Sequence, residues 1–370
     1  MMQVNTVNEL ISDIRQGRMV VLLDDDADSH NEGVVMVAAE HCDADHVNFM
    51  ARQARGLVCL TLTEERCKQL DLPPMVDDAL GEKSNFTLSI EATVGIDTGI
   101  SAGDRARTVH AAVAPHAVPG DIVQPGHIFP LAVVPGGVLV RAGHTEAASD
   151  YAQLAGLLPA AVIADILTPA GEVADGPALV EFAQKHQLKI GTIADLIHFR
   201  MVNERTVHQV RQGTIDTAYG EFRLTAYRDD NAGEIHLALS QGEISPDEPT
   251  LVRVHVKSAL RDLVGSELAG RPTWSMDRCM KTVAEAGRGV IVLLAREEGP
   301  EQLLASVDMA LGEDAASGGV SPDTYTTVGL GSQILRDLGV GKIHLMGAPI
   351  KYNAISGFDL EVMDFVNPES

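Results

Sequence analysis

Short aliphatic runs recur along the chain: MVVLL at 19–23, VVMVAAE at 34–40, LVCLTL at 57–62, AAVIADIL at 160–167, LKIG at 188–191 and GVIVLL at 289–294. Apolar runs this short, bounded by turn residues, read as buried strands rather than helices. Between them lie amphipathic stretches of helical period. Residues 5–17 place Val7, Leu10, Ile11 and Ile14 on one face, with Gly17 as a stop. Residues 44–54, 63–72, 147–157, 177–187, 192–200, 276–286 and 331–338 also read as helices. The stretch 98–113 opens a helix with Ser101 as its N-cap and Asp104 in its first turn. Strand and helix in alternation predict an α/β (α+β) chain built on mixed sheets.

At 370 residues the chain exceeds one compact core and divides into two domains. Composition changes near Val202-Asn203-Glu204, which sets the domains at 1–203 and 204–370. From Gly213 the second reads as strands (GEFRLTAYRD, EIHLALSQG, LVRVHVKS), then a helix, GVIVLL, a Gly-rich loop near 312–320, a helix and a last strand near Ile343. Aromatics are scarce at 4%, so both cores are aliphatic.

The formal charge of −24 argues against a nucleic-acid partner, since a phosphate backbone requires a basic face. An anionic small substrate needs Arg, a metal or helix N-termini concentrated at one place. Cys42, Cys59, Cys67 and Cys279 form no CxxC pair, which predicts a reducing, cytoplasmic compartment, with Cys59 a buried small hydrophobe. No apolar run of membrane length and no signal peptide is read, so no membrane partner is expected.

The chemistry-bearing residues concentrate in QPGHIFPLAVVPGGVLVRAGHTEAASD, 124–150. Pro125-Gly126 and Gly136-Gly137 break it, so PLAVV and GVLVR are expected as short strands with His127 and His144 in turns at their ends. Arg141 precedes His144, and Thr145 and Glu146 follow, a set suited to a metal or a phosphorylated sugar. The acidic run DDDADSHNEG, 24–33, follows a buried strand and reads as a metal and substrate loop. Asp165, an acid inside an apolar strand, is a further candidate.

These runs carry a resemblance. NEG at 31–33, GLVCL at 56–60, LDLPPMV at 70–76, TGIS and DR around 98–105, PGHIFPL at 125–131, RAGHTEA at 141–147 and TIADLI at 192–197 resemble 3,4-dihydroxy-2-butanone-4-phosphate synthase over roughly residues 5–200. YGEFRL at 219–224, LVRVH at 251–255, GRGV at 287–290 and GLGSQILRDLGV at 329–340 resemble GTP cyclohydrolase II, so the whole chain resembles the fused riboflavin-pathway protein. The resemblance implies a lyase that cleaves ribulose 5-phosphate to formate and a four-carbon ketone phosphate, works as a homodimer, and uses Mg²⁺ or Mn²⁺. It implies catalytic roles for Asp25, Glu32, His127 and Asp165. Substrate contacts fall on Ser29, His30, Val34, Thr108, Arg141, Ala142, Gly143, His144 and Thr145, and metal ligation on His30 and His144.

The pattern also departs from the family. His30 replaces a metal-binding Glu, Ser29 an Arg, Val34 a substrate-contacting Asp, and Asp165 a Glu. Two imidazoles suit a softer ion such as Zn²⁺ or Fe²⁺ better than Mg²⁺. In the second domain Ser258 stands where the family has its first zinc cysteine, and Ala295 and Pro300 replace arginines, which predicts no cyclohydrolase activity. The residues leave three readings open: a working synthase, a diverged sugar-phosphate lyase or isomerase, and an inactive partner of riboflavin enzymes.

Overall fold

A computed structural model describes residues 4–24, 32–76, 85–266, 273–296, 298–311, 322–347 and 360–368. The chain divides into two compact units, 1–199 and 200–370.

The first unit contains α1 (Val7–Arg15), β1 (Val20–Leu23), β2 (Gly33–Ala38), α2 (Ala44–Phe49), β3 (Arg55–Thr63), α3 (Glu64–Gln69), β4 (Ile90–Ala92), α4 (Ala102–Val113), β5 (Ile122–Val133), α5 (His144–Leu154), β6 (Ala161–Ile166), α6 (Gly176–His186), β7 (Lys189–Thr192) and α7 (Ile193–Asn203), the last running past the unit's end. Its strands form one mixed sheet in the order β4-β5-β3-β6-β2-β1-β7. Local chemistry sets the helix starts. Thr6 and Glu9 form a capping box on α1, Ser101 accepts from the Asp104 N–H on α4, and Asp175 caps α6. Val21, Val35, Val37, Val58, Leu60, Val162 and Ala164 share one sheet face and one core with residues of α4 and α6. The other face is covered by α5, which packs on β1, β2, β3, β5 and β6.

Several local readings change. GVLVR is not a strand: Gly136 and Gly137 both take left-handed φ (92° and 61°), and Gly137–Leu139 closes a 3-10 turn instead. Only glycine adopts that double reversal readily. His127 is accordingly not in a turn but inside the twelve-residue β5, and His144 is the first residue of α5, which begins three residues before Ala147. NFTLSI at 85–90, whose alternation reads as a strand, forms isolated bridges at Phe86 and Thr87 and enters β4 only at Ile90. The helix at 44–54 ends in a wide π turn over Met50–Ala54, stopped by Arg55 at φ 71°.

The second unit contains β8 (Val207–Thr217), β9 (Gly220–Asp229), β10 (Ile235–Gln241), β11 (Pro249–Val256), α8 (Met276–Ala286), β12 (Gly289–Leu294), α9 (Pro300–Leu311), α10 (Pro322–Asp337), β13 (Lys342–Met346) and β14 (Glu361–Val366). Its sheet runs β14-β13-β11-β12-β10-β9-β8, parallel from β14 to β12 and antiparallel beyond. The core gathers Phe222, Trp274, Cys279, Val283, Ile291 and Met346. β8, α9 and β14 go beyond the elements expected from sequence, and α10 begins nine residues before position 331. The Gly-rich loop at 312–320 lies outside the described residues.

Candidate active site

Strand direction brings Glu32 and Asp165 to one edge of the first unit's sheet. β1 and β2 are antiparallel, with Leu23 opposite Gly33, and the Asp24 N–H donates to the Glu32 carbonyl at 2.9 Å. β2 and β6 are also antiparallel, with Val34 opposite Asp165. The end of β1, the start of β2 and the end of β6 therefore meet. Asp24, Glu32 and Asp165 share that edge, and α5 sets His144 against it. Gly56 of β3 is required here, because a Cβ at that position would overlap the Asp165 backbone.

The electrostatics of this edge are asymmetric. Burial pushes the His144 imidazolium toward deprotonation, against the opposing pull of Asp24, Asp165 and Glu32. The ring bonds to the Glu32 backbone, while its Nε2 is shut off from solvent and has no hydrogen-bond partner among the described residues. A buried imidazole nitrogen with no partner among the described residues is a donor that a metal ion can take. Burial pushes the Asp165 carboxyl up, partly countered by His144. Solvent still reaches the Asp165 residue, which tempers that rise. Among the described residues no group of three or more His, Cys, Asp or Glu is arranged to hold a metal ion.

The remaining candidates have distinct surroundings. Arg141 bonds the wholly buried Glu146 carboxylate at 2.5 Å, and that carboxylate also accepts from the Val134 N–H at 3.1 Å. Ala142 and Gly143 form the bend that enters α5, whose N-cap, Gly143, brings no side chain to the first-turn N–H groups. Those amides can receive an anion. Thr145 is buried and accepts from Asn85 Nδ2 at 3.1 Å. Thr108 is buried in α4, donating to the Asp104 carbonyl (3.0 Å) and accepting from the Ala92 N–H (3.1 Å). Val34 is buried beside Asp165. His127 pairs through Nδ1 with Glu91. Asp25, Ser29 and His30 lie outside the described residues.

Comparison with known proteins decides the family. Residues 8–199 match 3,4-dihydroxy-2-butanone 4-phosphate synthase, and residues 208–367 match GTP cyclohydrolase II. The chain belongs to the 3,4-dihydroxy-2-butanone 4-phosphate synthase family. It is 52% identical to the 3,4-dihydroxy-2-butanone 4-phosphate synthase of Pseudomonas aeruginosa over 369 residues, covering 100% of both chains. The crystal structure of a two-domain synthase of this name from A. baumannii superposes with a TM-score of 0.84 at 47% identity, covering 98% of this chain and 99% of that one. A synthase crystallised in complex with two magnesium ions matches at 38% identity and TM-score 0.50, covering 53% of this chain and 97% of that one.

The second unit of this synthase-family chain has its own charged cluster. After β11, Asp262 accepts from His255 Nε2 (2.9 Å) and from the N–H groups of Ser258 (2.8 Å) and Met276 (2.9 Å), with Arg261 alongside. Burial alone would raise the Asp262 carboxyl; these donors outweigh it and hold it down at about 2. Ser258, at the position of the expected zinc cysteine, thus serves as a backbone donor to Asp262.

Sequence reasoning covered Asp24 within the acidic run but did not single out Glu91 or Asn85, which bond to the candidates His127 and Thr145. The signal for Glu91 was present, since it is an acid flanked by buried apolar neighbours in a strand, the same cue that singled out Asp165.

Proposed function

We propose that the first unit, as a domain spanning 1–203, converts ribulose 5-phosphate to 3,4-dihydroxy-2-butanone 4-phosphate and formate for riboflavin synthesis. We further propose that the second, 204–370, has no cyclohydrolase activity and that the chain works as a homodimer in the cytoplasm. The observation that carries this reading is the buried, unpartnered Nε2 of His144 at a sheet edge lined by Asp24, Glu32 and Asp165.

The chemistry follows from the residues. Asp165, its carboxyl raised by burial, is suited to take a proton from a carbon beside a carbonyl at neutral pH. Asp25, Glu32 and His127 are the further acid–base groups. The first-turn N–H groups of α5, with Arg141 and Thr145, orient the anionic substrate. A divalent cation would be held by His144 Nε2 and His30. When bound it supplies positive charge beside the substrate oxygens. Two imidazoles favour Mn²⁺, Fe²⁺ or Zn²⁺ over Mg²⁺.

One observation favours a second reading, a lyase or isomerase for a different sugar phosphate. Val34, opposite Asp165, makes an apolar wall where the resemblance expects an Asp. The deciding experiment uses tag-free protein, ribulose 5-phosphate and each of Mg²⁺, Mn²⁺, Fe²⁺ and Zn²⁺, with formate as the readout and GTP as a parallel substrate. Formate from ribulose 5-phosphate and none from GTP is expected. Absence of formate with every metal overturns the synthase reading, and turnover of another pentose phosphate in its place establishes the second.

A further inference from the structure

We infer that Glu91 is a positioning residue that fixes the tautomer of His127, an inference that rests on the acid–base role proposed for that histidine. Glu91 and His127 lie on the neighbouring antiparallel strands β4 and β5, just past the Ile90–Ile128 pair, where the register shifts. The two backbones approach so closely there that a Cβ at Gly126 would overlap Ile90, and the Gly126 N–H donates to Ser89 Oγ at 3.1 Å. This crowding places the two side chains against each other. The contact is between His127 Nδ1 and Glu91 Oε1.

The carboxylate is seated, not merely nearby. Gly99 has φ 79°, and a Cβ there would overlap the Glu91 carboxylate, so the loop is shaped to admit that group. The loop is pinned in turn, because the Gly99 N–H donates to Asp104 Oδ2 at 3.0 Å in the first turn of α4, which Ser101 caps. The Glu91 side chain is 16% exposed and the His127 ring 43%. An ion pair this open contributes little to stability, whereas a carboxylate accepting from Nδ1–H sets which ring nitrogen carries the proton. The half-exposed ring then presents Nε2 as the atom that accepts or returns a proton.

The test compares wild type with Glu91→Gln and Glu91→Ala by ¹⁵N NMR of the imidazoles, the His127 signals being assigned by their loss in His127→Gln. Wild type is expected as the Nδ1–H tautomer and both Glu91 variants as mixtures shifted toward Nε2–H. Gly99→Ala displaces the carboxylate without changing charge and is expected to reproduce the Glu91→Ala spectrum. For formate release, Glu91→Gln is expected to lower kcat by about 10²-fold or more with KM within about twofold, as when a histidine-orienting carboxylate becomes an amide. An Nε2–H ring in wild type, or an unchanged tautomer in both Glu91 variants, overturns the inference. If wild type releases no formate while the tautomer still responds to Glu91, the synthase reading fails and the positioning role stands.

Discussion

Asp165 in the first unit and Asp262 in the second both stand beside an imidazole near the end of a sheet, yet their surroundings push them in opposite directions. Asp262 is surrounded by donors: two backbone N–H groups, His255 and Arg261 hold it ionised down to about 2. Asp165 has no such set among the described residues, and its carboxyl rises. Their histidines follow suit. His255 spends Nε2 on Asp262, while the Nε2 of His144 has no partner among the described residues. A carboxylate with all its lone pairs engaged holds its own unit together and has little left for a substrate. One held short of partners retains basicity for chemistry.

The sharpest way to break this contrast is at the reacting edge. Asp165→Asn keeps the shape and removes the base, so formate release is expected to fall by roughly 10²–10⁴-fold with the melting temperature unchanged. Because burial raises the Asp165 carboxyl, the acid limb of the wild-type rate profile is expected at a pH above the ordinary aspartate value of 3.8. A fall of less than tenfold on Asp165→Asn would remove it from the catalytic set. His144→Ala is expected to cost roughly 10²–10³-fold, the scale for losing one electrostatic contact to developing charge. It should also abolish stoichiometric retention of a divalent metal, measured by elemental analysis. Retention of full metal content by this variant would place the ion elsewhere.

Much of this was legible in the sequence, for reasons that can be named. The ends of β9, α8 and β12 fall on the expected residues because alternation, Ser275 as N-cap and the Gly287 and Gly289 boundaries are all local signals. His144 and Asp165 were legible as candidates because polar residues beside apolar runs are costly without a role. Their meeting was not legible, since it depends on β2 pairing β6 across more than a hundred residues. GVLVR misled because its apolar pattern is strand-like while two glycines reverse the chain; the carboxylate that fixes the turn, Asp150, is twelve residues on. Glu91 carried the cue of an acid in an apolar strand, but its pairing with His127 was not legible, because that partner is thirty-six residues away in sequence.

Asp262 offers the smaller and cleaner perturbation. Its folded value of about 2 lies below the ordinary 3.8, so its contribution is fully present above about pH 4 and is lost as the pH falls from there toward 2. Half-shielded from solvent, the group is expected to contribute about 1–2 kcal/mol at neutral pH after allowance for screening. His255, pushed by burial toward its neutral form, acts with the same sign, since the unfolded chain takes up its proton first as acid is added. Trp274, the single tryptophan, is buried in this unit and donates from Nε1 to the Val366 carbonyl at 3.1 Å, so its fluorescence reports the second unit alone. Denaturant melts followed at Trp274 are expected to show Asp262→Asn destabilised at pH 7 by that amount, with the gap to wild type closing between pH 4 and 2. Formate release per folded molecule is expected to be unchanged, because the residue belongs to the other unit. A gap that persists at pH 2 would mean that the Asp262→Asn substitution costs packing rather than charge, and Asp262 would then no longer be the saturated counterpart of Asp165.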